Sequence, residues 1–185
     1  MAGARVALLP PGEMGAAVGA RLIAGGAEVA TCLAGRGPRS AALATQGLAI
    51  RVVGGEIGQA SAATCCEAAL TKGFTALGTA LLVAAERAGV AAPLAAEFAA
   101  SQPEASAWLL RQLPAMPPKA WRWVAEMEEI GAFLDSVGVP GATLRGAAEL
   151  YRKLADTPLG RETPETRDRS RDGRAVAEGL ARTLG

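Results

Sequence analysis

A glycine-containing turn near the start of the chain is the first place where residue types and spacing could do chemistry. Residues 10–15 read Pro-Pro-Gly-Glu-Met-Gly, between an apolar run and a stretch with helical periodicity. Glycines let a backbone approach a dinucleotide pyrophosphate, and a helix that begins at such a turn points its N-terminus at the phosphates. The pattern alone supports a phosphate-binding turn and a plain strand-to-helix turn equally, because a proline holds the first glycine place. The candidate cofactor-binding residues in this turn are Pro11, Gly12, Glu13, Met14 and Gly15.

A second candidate element is the basic corner after the second predicted strand. A unit that binds NAD carries an acidic residue there for the ribose hydroxyls, whereas residues 35–40 read Gly-Arg-Gly-Pro-Arg-Ser. Two guanidinium groups and a hydroxyl suit a ribose 2′-phosphate. We therefore expect Arg36, Arg39 and Ser40 to favour NADP over NAD. The alternative is a solvated basic loop with no ligand.

The remaining reactive residue types exclude several kinds of site. The chain has no histidine, which removes the commonest general base and every histidine-based triad. Cys65 and Cys66 are adjacent, match no zinc spacing and are expected to be inert thiols, so no metal site is predicted. Residues 126–129 contain three glutamates, which predict either a solvated face with ordinary ion pairs or partners for arginines across a dimer.

The elements that position these residues begin with a predicted βαβ unit. Residues 4–9 and 27–33 predict parallel strands, and the helix between them over 13–24 ends at Gly25-Gly26. Residues 49–53 are a candidate third strand. After Gly55 the hydrophobic pattern predicts only helices, so the predicted secondary structure changes from α/β to all-α at this point.

The first of these helices is long, covers residues 58–88 and is closed by Gly89. Its apolar positions form a stripe: Leu70, Phe74, Leu77, Leu81, Ala84 and Ala88. Further helices are predicted over residues 93–101, 103–113, 119–137 and 141–156. The helix over 119–137 carries a second stripe: Trp123, Met127, Ile130, Leu134 and Val137.

The fold class that follows is α/β plus all-α, a partial Rossmann βαβ start followed by a mainly helical C-terminal domain built on one long helix. We expect a truncated dinucleotide-binding segment over residues 1–55 and a helical domain over 56–158. Residues 159–185 are expected to form a charged arm, mobile or lying along the surface, and a short amphipathic helix.

Composition sets the class of protein and of partner. Half of the 185 residues are hydrophobic and the net charge is +1, which supports a real core and gives no footprint for nucleic acid or a membrane surface. The N-terminus lacks a signal-peptide pattern, and no run of about 18 uncharged apolar residues is present. We expect a cytoplasmic protein.

Three stretches together carry a resemblance to a known family: LLPPGEMGAAVGARL, GEIGQASAATCCEAALTKG and MPPKAWRWVAEMEEIGAFLDSVGVP. They resemble the NADP-dependent β-hydroxyacid dehydrogenase superfamily, which includes 6-phosphogluconate dehydrogenases and imine reductases. The most similar branch has a helical C-terminal domain without an assigned function. The resemblance implies a Rossmann fold, hydride transfer to a small carbonyl or imine substrate, and a homodimer that buries the long helix.

The chain departs from this family in two ways. Residues 1–55 are too few for a complete Rossmann domain, so the central segment that contacts the nicotinamide is expected to be missing. The family's catalytic lysine lies nine residues after the first glycine of a Gly-x-x-Gly motif, and counting from Gly55 this place is Thr64. Threonine cannot supply the lysine's charge or its proton. We interpret Lys72, eight residues further on, as a structural lysine or as one that supports the site from behind its contact residues.

Two functions remain open at this point. The chain is either an NADP-dependent oxidoreductase with impaired activity, or a non-catalytic relative that acts as a helical dimerisation module. The resemblance places Lys119 near the interdomain cleft, where a lysine could hold a substrate carboxylate or phosphate. The alternative is an exposed lysine at a helix start, beside core tryptophans at 121 and 123.

Overall fold

The computed structural model describes residues 5–7, 21–22, 24–26, 28–30, 58–163 and 165–185. It divides into two compact units, Met1–Cys65 and Cys66–Gly185. The sequence placed the boundary at residues 55 and 56 and set the last 27 residues apart as a charged arm and short helix. In the structure the arm and the last helix belong to the second unit.

The first unit contains two short strands, β1 (Arg5–Ala7) and β2 (Glu28–Ala30). They pair in parallel, with Arg5 opposite Glu28. Ahead of β2, the amide of Gly25 donates to the carbonyl of Arg21, and Gly26 has φ of 82°, which is how a helix ends. The phosphate-binding turn and the basic corner lie outside the described residues, and the dinucleotide-binding fold therefore stays a prediction.

In its described residues, the second unit contains helices and connecting turns and no strand. Its elements in chain order are α1 (Gln59–Arg87), α2 (Ala91–Ser101), α3 (Pro103–Gln112), two 3₁₀ turns (Leu113–Ala115 and Pro117–Lys119), α4 (Ala120–Ser136), α5 (Ala142–Ala155) and α6 (Gly173–Thr183). Helix α1 begins seven residues before the boundary between the units and runs on through the second. The predicted ends at Gly89 and Gly138 are confirmed, since these glycines have φ of 71° and 79°.

Helix α1 packs through a face of small residues rather than through its leucine stripe. Its buried positions are Ala68, Thr75, Ala76, Gly78, Thr79, Val83 and Ala85. A Cβ on Gly78 would overlap the side chain of Leu109 on α3, so glycine lets the two helices approach closely. The hydroxyls of Thr75 and Thr79 donate to the carbonyls four residues earlier, both at 2.7 Å, and are therefore buried with their hydrogen bonds made.

The leucine stripe of α1 therefore faces outward. Leu70, Leu77 and Leu81 are 72, 58 and 47% exposed, and we call these three residues the leucine ridge. The second predicted stripe behaves differently, because Met127 and Ile130 of α4 are buried in the core. Val137, at the end of the same stripe, is 58% exposed, so α4 buries the middle of its stripe and exposes its end.

Helices α4 and α5 form a tight antiparallel hairpin. Gly131 and Gly141 meet backbone to backbone, and a Cβ on Gly141 would overlap Gly131. Asp135 closes the connection: it accepts from the amide of Gly141 at 2.8 Å and from Arg145 at 2.7 Å. These two hydrogen bonds, led by the one from the guanidinium, lower the pKa of Asp135.

The charged arm lies along the surface of the helical unit. Arg171 and Glu162 form a half-buried ion pair at 3.0 Å, and Arg167 donates to the carbonyl of Pro114 at 2.8 Å. Helix α6 then buries Val176, Ala177 and Leu180. Arg87, at the end of α1, donates to the carbonyl of Ala181 at 2.9 Å and so fixes the end of this last helix.

Of the described helices, α1 alone is long and apolar enough to cross a membrane by length and composition, with a mean hydropathy of 1.5 over its most apolar window. The core helix of a soluble protein meets the same criterion, and 39% of that window is buried inside the molecule. The criterion is therefore weak evidence for a membrane span.

Candidate functional site

One polar cluster in the helical unit joins α1 to α4. Lys72 Nζ lies 2.5 Å from Glu126 Oε1, with the two side chains 23 and 37% exposed. The same ammonium stands 5.8 Å from the ring centre of Trp123, one turn before Glu126 on α4. Lys72 is thus held by a carboxylate and an aromatic face, the two partners that best stabilise a half-buried ammonium.

Tyr151 of α5 is the fourth member of this cluster. Its hydroxyl donates to the main-chain carbonyl of Lys72 at 2.6 Å, and its ring packs edge-on against Trp123 at 5.2 Å between centres. The side chain is buried. Burial, followed by the nearby negative charge of Glu126, raises the pKa of Tyr151 well above its usual value.

This arrangement stabilises the packing of three helices and does not leave an acid or base ready for chemistry. The ammonium of Lys72 is engaged by Glu126, and the phenol of Tyr151 is engaged by a backbone carbonyl. A general acid must instead reach a substrate atom with the proton it transfers. The cluster agrees with the interpretation of Lys72 as a structural lysine.

The buried phenol predicts a loss of stability at alkaline pH. Tyr151 stays protonated in the folded state, whereas the unfolded chain ionises it near its ordinary pKa of 10.0. The unfolded state therefore binds fewer protons above about pH 10, and the free energy of unfolding should fall as pH rises through this range. Denaturant titrations at a series of alkaline pH values measure this slope.

The chain has a single tyrosine, which makes this prediction directly observable. Tyrosinate absorbance should appear together with loss of helical circular dichroism and not before it. In Tyr151→Phe, the part of the pH dependence of the free energy of unfolding that the phenol causes should vanish. The lost hydrogen bond should also lower stability by about 1 kcal/mol at neutral pH. Ionisation of Tyr151 near pH 10 in the fully helical protein would contradict the burial argument.

Thr64, at the place that the resemblance gives to a catalytic lysine, is exposed on α1. Its hydroxyl donates to the carbonyl of Ala60 at 3.0 Å, one turn earlier in the same helix. A hydroxyl bonded in this way serves its own helix backbone. The position therefore offers no charged group and no free proton donor.

Lys119 immediately precedes α4 and is partly buried. In the described part of the chain its ammonium has no ion-pair partner. Trp121 beside it is 66% exposed, so the interpretation of both neighbouring tryptophans as core residues is wrong for Trp121. Trp123 is half-buried in the cluster with Lys72.

The glutamates of residues 126–129 make contacts within the chain. Glu126 pairs with Lys72, and Glu128 pairs with Arg152 at 2.6 Å. Glu129 is exposed. These contacts support the alternative of a face with ordinary ion pairs. Among the described residues, no group of three acidic, cysteine or histidine side chains could hold a metal ion.

The predicted cofactor-binding residues of the turn and of the basic corner all lie outside the described residues. One feature of the described residues was not predicted from the sequence. Glu86 and Arg174 line one pocket, although 88 positions separate them in the chain. The spacing of residues in the sequence cannot predict such a pair. The two residues reach one pocket only because α6 packs against α1 and α3.

Comparison with known proteins found one family model that is similar to part of the chain. Residues 85–154 match the domain of unknown function DUF1932, which is the helical C-terminal domain of NAD(P)-dependent dehydrogenase-like proteins. The match begins near the end of α1 and ends within α5. No curated protein matches the chain.

Proposed function

We propose that this chain is an NADP-binding relative of hydride-transferring dehydrogenases whose own activity is impaired. The observation that carries the proposal is the match of residues 85–154 to a helical domain of NAD(P)-dependent dehydrogenase-like proteins. The glycine turn at residues 10–15 and the parallel pairing of β1 with β2 are compatible with a dinucleotide-binding segment.

Bound NADPH would supply the hydride for a small carbonyl or imine substrate. The chain would supply the phosphate contacts through the turn and the 2′-phosphate contacts through Arg36, Arg39 and Ser40. Proton transfer to the substrate would be slow from Thr64, because its hydroxyl donates to the helix backbone. Lys119 remains a candidate for holding a substrate anion, because its ammonium is unpaired within the described residues.

A second candidate function is a non-catalytic dimerisation module, and the leucine ridge favours it. The three exposed leucines lie along one face of α1 and form the kind of patch that soluble monomers rarely leave uncovered. We propose that the ridge is covered by a second copy of the chain, with or without catalysis.

Two grooves beside the ridge support this proposal. A groove of about 460 Å³ lies between α1 and α5 on one side of it. A second groove, of about 270 Å³, lies between α1, α2 and α3 on the other side. Leu77 lines both grooves, so a ridge flanked by grooves can pack into its own symmetry mate.

The cofactor assignment predicts a preference for NADPH over NADH. Guanidinium groups form charge-assisted hydrogen bonds to a 2′-phosphate, and NADH has none to receive them. Replacing Arg36 and Arg39 together by alanine should weaken NADPH binding by about tenfold or more and leave NADH binding nearly unchanged. Titration of NADPH and NADH fluorescence with the purified protein measures both affinities.

The matched control for this prediction is Arg161→Ala with Arg169→Ala, which removes two exposed arginines of the charged arm. It keeps the change in net charge but should leave NADPH binding unaltered. Equal affinity of the parent chain for the two cofactors would refute the NADP assignment. A cytoplasmic location, without nucleic-acid or membrane partners, completes the proposal and follows from composition and the small net charge.

A further inference from the structure

A pocket of about 230 Å³ lies between the end of α1, α2, α3 and the start of α6. Its walls are largely apolar and include Leu82, Phe98, Leu109 and Leu110. The volume exceeds that of an apolar cavity of about 150 Å³ that holds benzene. The pocket is therefore large enough for an apolar group of six to nine heavy atoms, on the order of a leucine or a small ring.

Helix α2 forms one wall of this pocket and is incompletely packed. It reads AAPLAAEFAAS, carries one charged residue in eleven, and buries none of its residues. An apolar helix normally buries one face against its neighbours. The inner face of α2 borders the pocket through Ala91, Ala95 and Phe98, so a molecule in the pocket would supply the missing packing.

Two opposite charges line the same pocket. Glu86 belongs to the last turn of α1, and Arg174 belongs to the first turn of α6. They are not paired with each other, and neither has an ion-pair partner among the described residues. Ser106 adds a hydroxyl to the lining. An apolar pocket with one free carboxylate and one free guanidinium is complementary to a small zwitterion with an apolar body.

We propose that this pocket binds an α-amino acid with an apolar side chain. The ammonium group binds Glu86, the carboxylate binds Arg174, and the side chain packs between α2 and α3. The site is independent of the proposed cofactor site, since every residue that lines it belongs to the helical unit. Binding closes the packing gap beside α2 and should therefore protect its amides from hydrogen exchange.

The test compares three probes of the same shape by calorimetric titration of the full chain. L-leucine carries both charges, isoamylamine lacks the carboxylate, and 4-methylpentanoate lacks the ammonium. We expect leucine to bind with Kd on the order of 1 mM or tighter, and each analogue to bind at least about tenfold more weakly. This comparison uses the unaltered chain and depends on no variant that has to fold.

Two variants then assign the charges. In Arg174→Met, leucine and isoamylamine should bind with equal affinity. In Glu86→Gln, leucine and 4-methylpentanoate should bind with equal affinity. The matched control is Arg182→Met on the same helix, whose guanidinium forms an exposed ion pair with Glu178 and should leave leucine binding unchanged. Ala95→Phe fills the pocket and should reduce leucine affinity more than tenfold while the helical content stays the same.

Several results would overturn the assignment. One is the absence of saturable leucine binding up to tens of millimolar, and another is equal binding of all three probes by the unaltered chain. A third is leucine binding that survives both charge substitutions. Loss of NADPH binding in the Arg36 and Arg39 variant has no bearing on these outcomes, so this inference and the proposed function fail separately.

Discussion

With NADPH and a panel of keto acids, aldehydes and cyclic imines, the chain should turn over far below about one per second, the lower end of the ordinary enzyme range. Hydride transfer requires the nicotinamide ring to be fixed against the substrate and a proton donor near the atom that gains negative charge. Thr64 stands where the resemblance places that donor, and its hydroxyl is bonded to Ala60. Loss of one positioned acid costs about 10²–10⁴-fold in rate.

Restoring the lysine alone should not restore the rate. The resemblance predicts that the segment that would hold the nicotinamide ring is missing, and misplacement of reactants costs at least as much as a missing acid. Thr64→Lys should therefore remain as slow as the parent chain. Its matched control is Ser61→Lys, which adds the same charge at an exposed position nearly one turn earlier on α1.

Loss of nicotinamide absorbance at saturating NADPH measures these rates. A turnover above about one per second from the unaltered chain would show that the catalytic residue lies elsewhere. A rise of about 10²-fold in Thr64→Lys but not in Ser61→Lys would show that the rest of the site is complete. Either result would favour the enzyme over the dimerisation module.

Leu77→Glu should convert the proposed homodimer into a monomer. Leu77 is 58% exposed, lies at the centre of the leucine ridge and lines the grooves on both sides of it. At a two-fold interface the substitution would bury two like charges close together without partners. We expect the dimer Kd to rise by about 100-fold or more, equivalent to about 3 kcal/mol.

Sedimentation equilibrium of both proteins over a range of concentrations tests this expectation. Val139→Glu is the matched control, because Val139 is an exposed apolar residue, 49% accessible, in the connection between α4 and α5. It should leave the dimer intact. Circular dichroism should be the same for all three proteins, since neither substituted side chain is in the core. A parent chain that is monomeric at micromolar concentration would rule out the ridge as an interface between copies.

The ends of the helices were predictable from the sequence because they depend on local residues. Gly89 and Gly138 adopt positive φ and end α1 and α4 within one or two residues of the predicted positions. A short amphipathic helix was expected within residues 159–185, and the structure has three helical turns over Gly173–Thr183.

The buried face of α1 was not predictable from the size of its apolar residues. The leucines mark the outer face, whereas alanine, glycine and threonine mark the inner one. Close approach to Leu109 requires a small residue at position 78, and buried threonines are tolerated because their hydroxyls bond to the helix itself. A pattern based on hydrophobic size cannot distinguish a face that packs at close range from one that is polar.

The polar contacts of the candidate sites depend on packing between distant parts of the chain. Lys72 and Glu126 are 54 residues apart, and their pairing depends on how α1 crosses α4. Glu86 and Arg174, the two charged residues of the pocket, are further apart still in the sequence. Trp121 and Trp123 differ in exposure because helical geometry turns residues two positions apart to different faces, a distinction that their shared residue type does not reveal.

The leucine ridge also bears on the solubility of the protein. With a net charge of +1 and an isoelectric point near 7.7, the chain has almost no electrostatic repulsion between copies at neutral pH. An uncovered apolar patch on such a molecule promotes indefinite association as readily as a defined pair. A closed two-fold contact, as proposed, would therefore also protect the protein against precipitation. A variant with a weakened contact should stay soluble best in buffers whose pH is well away from the isoelectric point.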